Sequence, residues 1–114
     1  MSACKDLCGR SPEVHAARVS RKDDDLRQER ETAWIGDAVL ALFARQFVLR
    51  ERDSMDGEWF TRLTSNEFLS AFGNPTRVEA SIGKIYLEGG LEAAFAWMDA
   101  NLIPLFRKQV ANKR

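Results

Sequence analysis

The chain has 114 residues, of which 45% are hydrophobic and 30% charged, with 17 acidic and 17 basic side chains. That length is one domain with a modest core, and a formal net charge of zero excludes a strongly basic nucleic-acid binder while leaving room for a local basic patch. Asp37 and Arg45 interrupt the longest apolar run, and the N-terminus has no apolar signal region, so no membrane span and a cytoplasmic location are expected.

Residues 1–22 mix both charges without helical periodicity and read as a flexible tail, with a short helix near Glu13–Arg18. Cys4 and Cys8 lie there without a second ligand pair, and read as free cytosolic thiols rather than a metal site. His15 is the single histidine and a poor basis for a Ser-His or Cys-His catalytic pair.

Residues 23–114 form the domain. Asp23-Asp-Asp25 is a helix-start signal, with Asp25 as cap and Gln28 completing a capping box. The first long helix is predicted from about Leu26 to about Glu51, centred on Glu31-Thr-Ala-Trp-Ile-Gly-Asp-Ala-Val-Leu40. Gly36 inside it costs roughly 1 kcal/mol relative to alanine. Asp37, in apolar surroundings, costs more unless it is paired or protonated. Together they predict a second helix passing close to Gly36 and a cation at Asp37. Trp34, Ile35, Val39, Leu40, Leu42, Phe43, Phe47 and Val48 point to nearly all sides of this helix. One side belongs against its own domain; a second copy of the chain is the simplest cover for another.

Asp53–Gly57 is a turn. Glu58–Phe72 is predicted as a second amphipathic helix, weakened at Thr64-Ser65-Asn66. Gly73 suits a C-terminal cap, Asn74 an N-cap and Pro75 a first helical position. The third helix runs from Pro75 to Glu88 and stops at Gly89-Gly90, with Val78, Ile82, Ile85 and Tyr86 as its apolar face. Leu91–Val110 is a last helix, broken before Pro104 and followed by basic residues. The class is all-α.

Asp37 and Glu79 thus sit on separate helices, each near a helical glycine, Gly36 and Gly83. If the helices cross at the glycines, the carboxylates converge. Oxygen ligands from two helices, completed by water, suit Mg²⁺, or Mn²⁺ in its place, and such an ion activates water against a phosphate. The competing reading pairs both carboxylates with arginines such as Arg30, Arg45 or Arg77.

The stretch Glu31-Thr-Ala-Trp-Ile-Gly-Asp-Ala-Val-Leu40 resembles the ribonuclease III signature, Glu-Arg-Leu-Glu-Phe-Leu-Gly-Asp-x-x-Leu. Thr76-Arg-Val-Glu-Ala-Ser-Ile-Gly-Lys-Ile-Tyr-Leu-Glu-Gly-Gly90 resembles that family's second motif, Asp-x-x-Glu-Ala-x-Ile-Gly-Ala-x-Tyr-Leu-Asp-x-Gly, and Leu63–Leu69 is faintly similar to its intervening helix. The resemblance covers about residues 26–110. It implies a shortened ribonuclease III-like helical bundle, an intertwined homodimer that cleaves double-stranded RNA with Mg²⁺ and leaves 5′-phosphate and 3′-hydroxyl ends.

The family's four carboxylates fall on Ala33, Asp37, Thr76 and Glu79, so two are replaced here. The mini-ribonuclease III branch is similar, with alanine and threonine at these positions and no double-stranded-RNA-binding domain. In that reading Asp37 and Glu79 hold the metal and Thr76 orients water. The other reading is a non-cutting scaffold. Asp37 and Glu79 are separated by 41 residues, fewer than the family has, and Arg77 stands where the family has a small or apolar residue.

Three functions are therefore weighed. One is a minimal Mg²⁺-dependent endoribonuclease on structured RNA, with phosphate contacts from Arg62, Arg77, Lys84, Arg107 and Lys108. The second is a non-catalytic dimer that binds RNA or a ribonucleoprotein partner. The third is a plain helical dimerisation module, which gives no reason to keep Asp37 and Glu79 in apolar surroundings.

Overall fold

A computed structural model describes residues 21–112, so the expectations for the tail, including Cys4, Cys8 and His15, lie outside the described residues. Five helices follow one another among the described residues: α1 (Arg21–Arg52), α2 (Gly57–Thr64), α3 (Asn66–Phe72), α4 (Pro75–Asn101) and α5 (Ile103–Asn112). No strand occurs among the described residues, and the all-α class holds.

α1 begins earlier than its charges suggest. Asp23 and Asp24 occupy its first turn rather than preceding it, where their charge complements the helix dipole. Asp25 therefore does not cap the helix as predicted. The 32 residues of α1 make a rod of about 48 Å at 1.5 Å per residue, and it dominates molecular extents of 55 × 29 × 22 Å. By length and composition alone, an apolar 18-residue window within Lys22–Arg52, of mean hydropathy 1.3, is also sufficient to cross a membrane, a test that the core helix of a soluble protein passes equally. In this fold 44% of that apolar window is buried, as in a core helix.

The turn after α1 uses Asp53 with φ 62°, the left-handed region that Asp tolerates better than most residues. Asp56 then caps α2, its carboxylate accepting from the Trp59 N–H at 3.1 Å. The single second helix predicted from Glu58 to Phe72 is two helices, parted at Ser65. Ser65 is extended (φ −77°, ψ 152°) and its hydroxyl accepts from the Phe68 N–H at 3.0 Å, so the weak Thr64–Asn66 stretch is a cap. Gly73 ends α3 in an extended conformation, its N–H donating to the Leu69 carbonyl at 2.8 Å.

α4 starts as predicted: the Asn74 side chain accepts from the Arg77 N–H at 3.1 Å, with Pro75 at the first position. It bends at Gly90, whose φ of 86° an L side chain rarely adopts. The first helical run of α4 therefore ends at Gly89-Gly90 as expected, and a second run follows it across the kink. The chain breaks again at Leu102, before Pro104.

The core is thickest at the C-terminal half of α1. Phe47, Leu63, Leu69, Met98, Leu102 and Phe106 are fully buried. Phe106 is edge-on to Phe47, Trp59 and Phe68, at centroid separations of 5.9, 5.2 and 5.8 Å. Towards its middle α1 meets the first half of α4, and its opposite side is bare.

Candidate functional site

The crossing of α1 and α4 is closer than side chains permit. A Cβ on Gly36 would fall on the carbonyl oxygen of Glu79 and 2.8 Å from the Gly83 nitrogen. A Cβ on Gly83 would fall on the carbonyl oxygen of Thr32 and 3.1 Å from the Gly36 nitrogen. Both glycines are buried. The predicted close passage at Gly36 is therefore present, and Gly83 is its counterpart.

Asp37 follows Gly36, and Glu79 lies one turn before Gly83, so the two carboxyl groups meet in hydrogen-bonding contact. Glu79 is half-buried. Its burial, then the hydrogen bond with Asp37 and the facing Asp37 charge, push its carboxyl up from 4.5 to about 7. Near neutral pH Glu79 therefore carries a proton for part of the time.

Two expectations are corrected here. Asp37 is not enclosed within the chain: it is exposed, at the rim of an apolar groove. Nor does a cationic side chain of the described residues sit at it. Among the described residues neither Asp37 nor Glu79 has an ion-pair partner within 4.0 Å. Of the arginines considered as partners, Arg77 reaches Glu29 at 3.8 Å and Arg45 lies over the Phe60 ring at 4.4 Å. Arg30 is exposed and pairs with neither carboxylate.

The remaining predicted residues divide. Ala33, one turn before Asp37, is 5% exposed and packed shut, so a longer side chain has no room there. Thr76, one turn before Glu79, is exposed, on the side of α4 that carries Glu79 and Gly83. Arg77 and Lys84, seven residues apart on α4, are exposed on one face, turned away from Glu79. Arg62 and Arg107 belong to the other end of the molecule, over the Phe106 ring (6.0 Å) and the Phe47 ring (5.5 Å); Arg107 also bonds Glu51 at 3.2 Å. Lys108 follows Arg107 and is exposed. The five candidate phosphate contacts thus form two separate groups rather than one patch.

The groove beside Asp37 has a volume of about 520 Å³ and is lined by Trp34, Ile35, Ala38, Val39, Leu42, Tyr86 and Leu91. Trp34 is 79% exposed, an unusual cost for a large apolar ring facing water. Its spacing to Ala38 and Leu42, at i+4 and i+8, is the sequence trace of this face.

The donor set fits a hard divalent cation. Two carboxylates in contact repel when both are ionised, and a cation between them removes that repulsion. No cluster of three or more His, Cys, Asp or Glu side chains suited to a metal occurs among the described residues, so most of the coordination would fall to water. Mg²⁺, and Mn²⁺ with it, tolerates such a water-rich shell. No family model, curated protein or solved structure matches the chain.

Proposed function

We propose that this chain is a Mg²⁺-dependent endoribonuclease of ribonuclease III type, cleaving double-stranded or structured RNA as a homodimer. The observation that carries the reading is the meeting of the Asp37 and Glu79 carboxyls across a glycine–glycine helix crossing, with no cationic side chain between them among the described residues. A structural pair would bring a guanidinium or be replaced by apolar side chains; this one has neither and stays reachable from solvent.

In this reading Asp37 and Glu79 hold the ion from one side. A bound Mg²⁺ supplies positive charge to the phosphate and lowers the pKa of water. The Thr76 hydroxyl, a turn before Glu79, orients a water. The rigid crossing fixes the separation of the two carboxylates, since neither backbone can move closer. The bare apolar face of α1 supports the homodimer.

The test is cleavage of a generic double-stranded RNA with Mg²⁺ by the wild type, Asp37→Ala and Glu79→Ala. Cutting that both substitutions abolish supports the two-carboxylate nuclease. No cutting, or cutting that survives both changes, removes it. The second reading, a non-cutting ribonuclease III-like dimer that binds RNA or a ribonucleoprotein, is favoured by one observation: the Ala33 position is closed, leaving two carboxylates where the resembled family has four.

A further inference from the structure

Asp37 belongs to two features at once. Its carboxyl meets that of Glu79, and the same residue lines the open groove with Trp34, Ala38, Leu42 and Leu91. Whatever seats in that groove removes water from the Asp37 side of the pair.

The face is built to receive its own copy. Ala38 is exposed at its centre, flanked four residues away on each side by Trp34 and Leu42 and seven away by Glu31 and Arg45, all exposed. A second α1, turned antiparallel about Ala38, sets Trp34 against Leu42 and Glu31 against Arg45, each twice. The small residue admits close approach, the large ones fill the gaps beside it, and the outer charges are opposite in sign. A zero net charge on the chain leaves no overall repulsion between copies.

Resting on the nuclease reading above, we propose that self-association through this face and divalent-cation binding at Asp37–Glu79 are thermodynamically linked: a second copy covers the groove side of Asp37, the Glu79 side stays open to water and substrate, and each event strengthens the other. The physical cause is dielectric. Like charges in contact interact about fourfold more strongly near a protein surface than in bulk water. Covering Asp37 therefore raises the repulsion that a cation relieves. The chain supplies no guanidinium or ammonium to the pair in cis among the described residues. The cation favours the covered state, and by reciprocity the covered state holds the cation more tightly by the same factor.

The experiment measures the two equilibria separately on the full chain. Sedimentation equilibrium gives the dimer dissociation constant with Mg²⁺ and with EDTA at matched ionic strength, which removes general screening. Electron paramagnetic resonance of free Mn²⁺ gives cation affinity for the wild type and for Leu42→Glu, which breaks the face at a side chain 39% exposed. Mg²⁺ is expected to tighten the dimer about tenfold or more, and Leu42→Glu to be monomeric, helical by circular dichroism and weaker for Mn²⁺ by a similar factor. Asp37→Asn is expected to dimerise equally with and without Mg²⁺. A dimer constant indifferent to Mg²⁺ while Mn²⁺ binds, or Mn²⁺ affinity unchanged in Leu42→Glu, overturns the linkage and leaves the metal site standing. Wild type that binds no Mn²⁺ at all overturns the metal site and the linkage with it. A wild type that stays monomeric with Mg²⁺ at every concentration overturns the second copy as the cover.

Discussion

Gly36 and Gly83 face each other across the α1–α4 crossing so tightly that a Cβ on Gly83 would lie 3.1 Å from the Gly36 backbone nitrogen and on top of the Thr32 carbonyl oxygen. Backbone meets backbone here, and no flexible side chain stands between to give way. Gly36→Ala puts a methyl group on the Glu79 carbonyl and must push the helices apart. The expected loss is on the order of 3 kcal/mol or more, beyond ordinary overpacking. Gly57→Ala is the control. It replaces a helical glycine with open space around it, and is expected to gain roughly 0.5–1 kcal/mol from helix propensity. Urea unfolding of the two variants beside the wild type measures both; equal effects would contradict the close crossing.

The carboxylate pair makes a pH prediction whose sign follows from Glu79. Its carboxyl titrates at 4.5 in the absence of the fold and at about 7 within it, so the folded chain holds the proton more tightly. The stability this contributes is full below 4.5 and is lost as pH rises from 4.5 through about 7. Glu51 and Asp56 act outside that window. The Arg107 guanidinium lowers the first carboxyl and the Trp59 N–H lowers the second, so their contributions are lost only as pH falls below the ordinary carboxylate range. In EDTA the wild type is therefore expected to be less stable at about pH 8 than at about pH 5, and Glu79→Gln to be nearly flat between them. Denaturant midpoints at the two values decide it; a wild type that gains stability over the interval excludes the proton held on Glu79.

Asn74→Ala removes the side-chain acceptor that holds the Arg77 N–H at the start of α4. A lost N-cap of this kind costs about 1 kcal/mol, which for a domain of this size lowers the melting temperature by roughly 4–8 °C. Asn66→Ala, at an exposed position inside α3, is expected to stay within about 0.5 kcal/mol of wild type. Calorimetric scans of the two variants separate the cap from the loss of an asparagine as such.

Much of this architecture is legible from local chemistry. Asn74-Pro75 announces the start of α4 because an amide acceptor and a fixed φ are both useful there and in few other places. A glycine inside a helix is costly, so Gly36 and Gly83 mark the crossing. The weak stretch at Ser65 is visible, but its outcome depends on whether the serine hydroxyl finds a free N–H, and that makes one helix into two. The convergence of Asp37 on Glu79 follows from the two glycines, and the surroundings of Asp37 are the part that sequence misjudges. A charge among apolar residues demands compensation, and a cation, a proton or solvent each supplies it; the fold supplies contact with Glu79 and exposure at a groove. Spacing along α1 also reveals that it is apolar on several sides, but not which side stays bare.

Trp34 is the direct probe of that bare side. At 79% exposure it contributes little to the stability of one chain, and Trp34→Ala is expected to change monomer stability by no more than about 0.5 kcal/mol. In the proposed dimer the same indole would lie against Leu42 of the other copy, twice per dimer, and each ring removed would forfeit several kcal/mol, on the order of a buried aromatic truncation. The wild type should therefore show a melting temperature that rises with protein concentration, as mass action requires of a folded dimer. Trp34→Ala should melt at one temperature whatever the concentration, close to that of the dilute wild type. A wild-type melting temperature independent of concentration, or a variant that retains the dependence, would place the association elsewhere than on the Trp34–Ala38–Leu42 face.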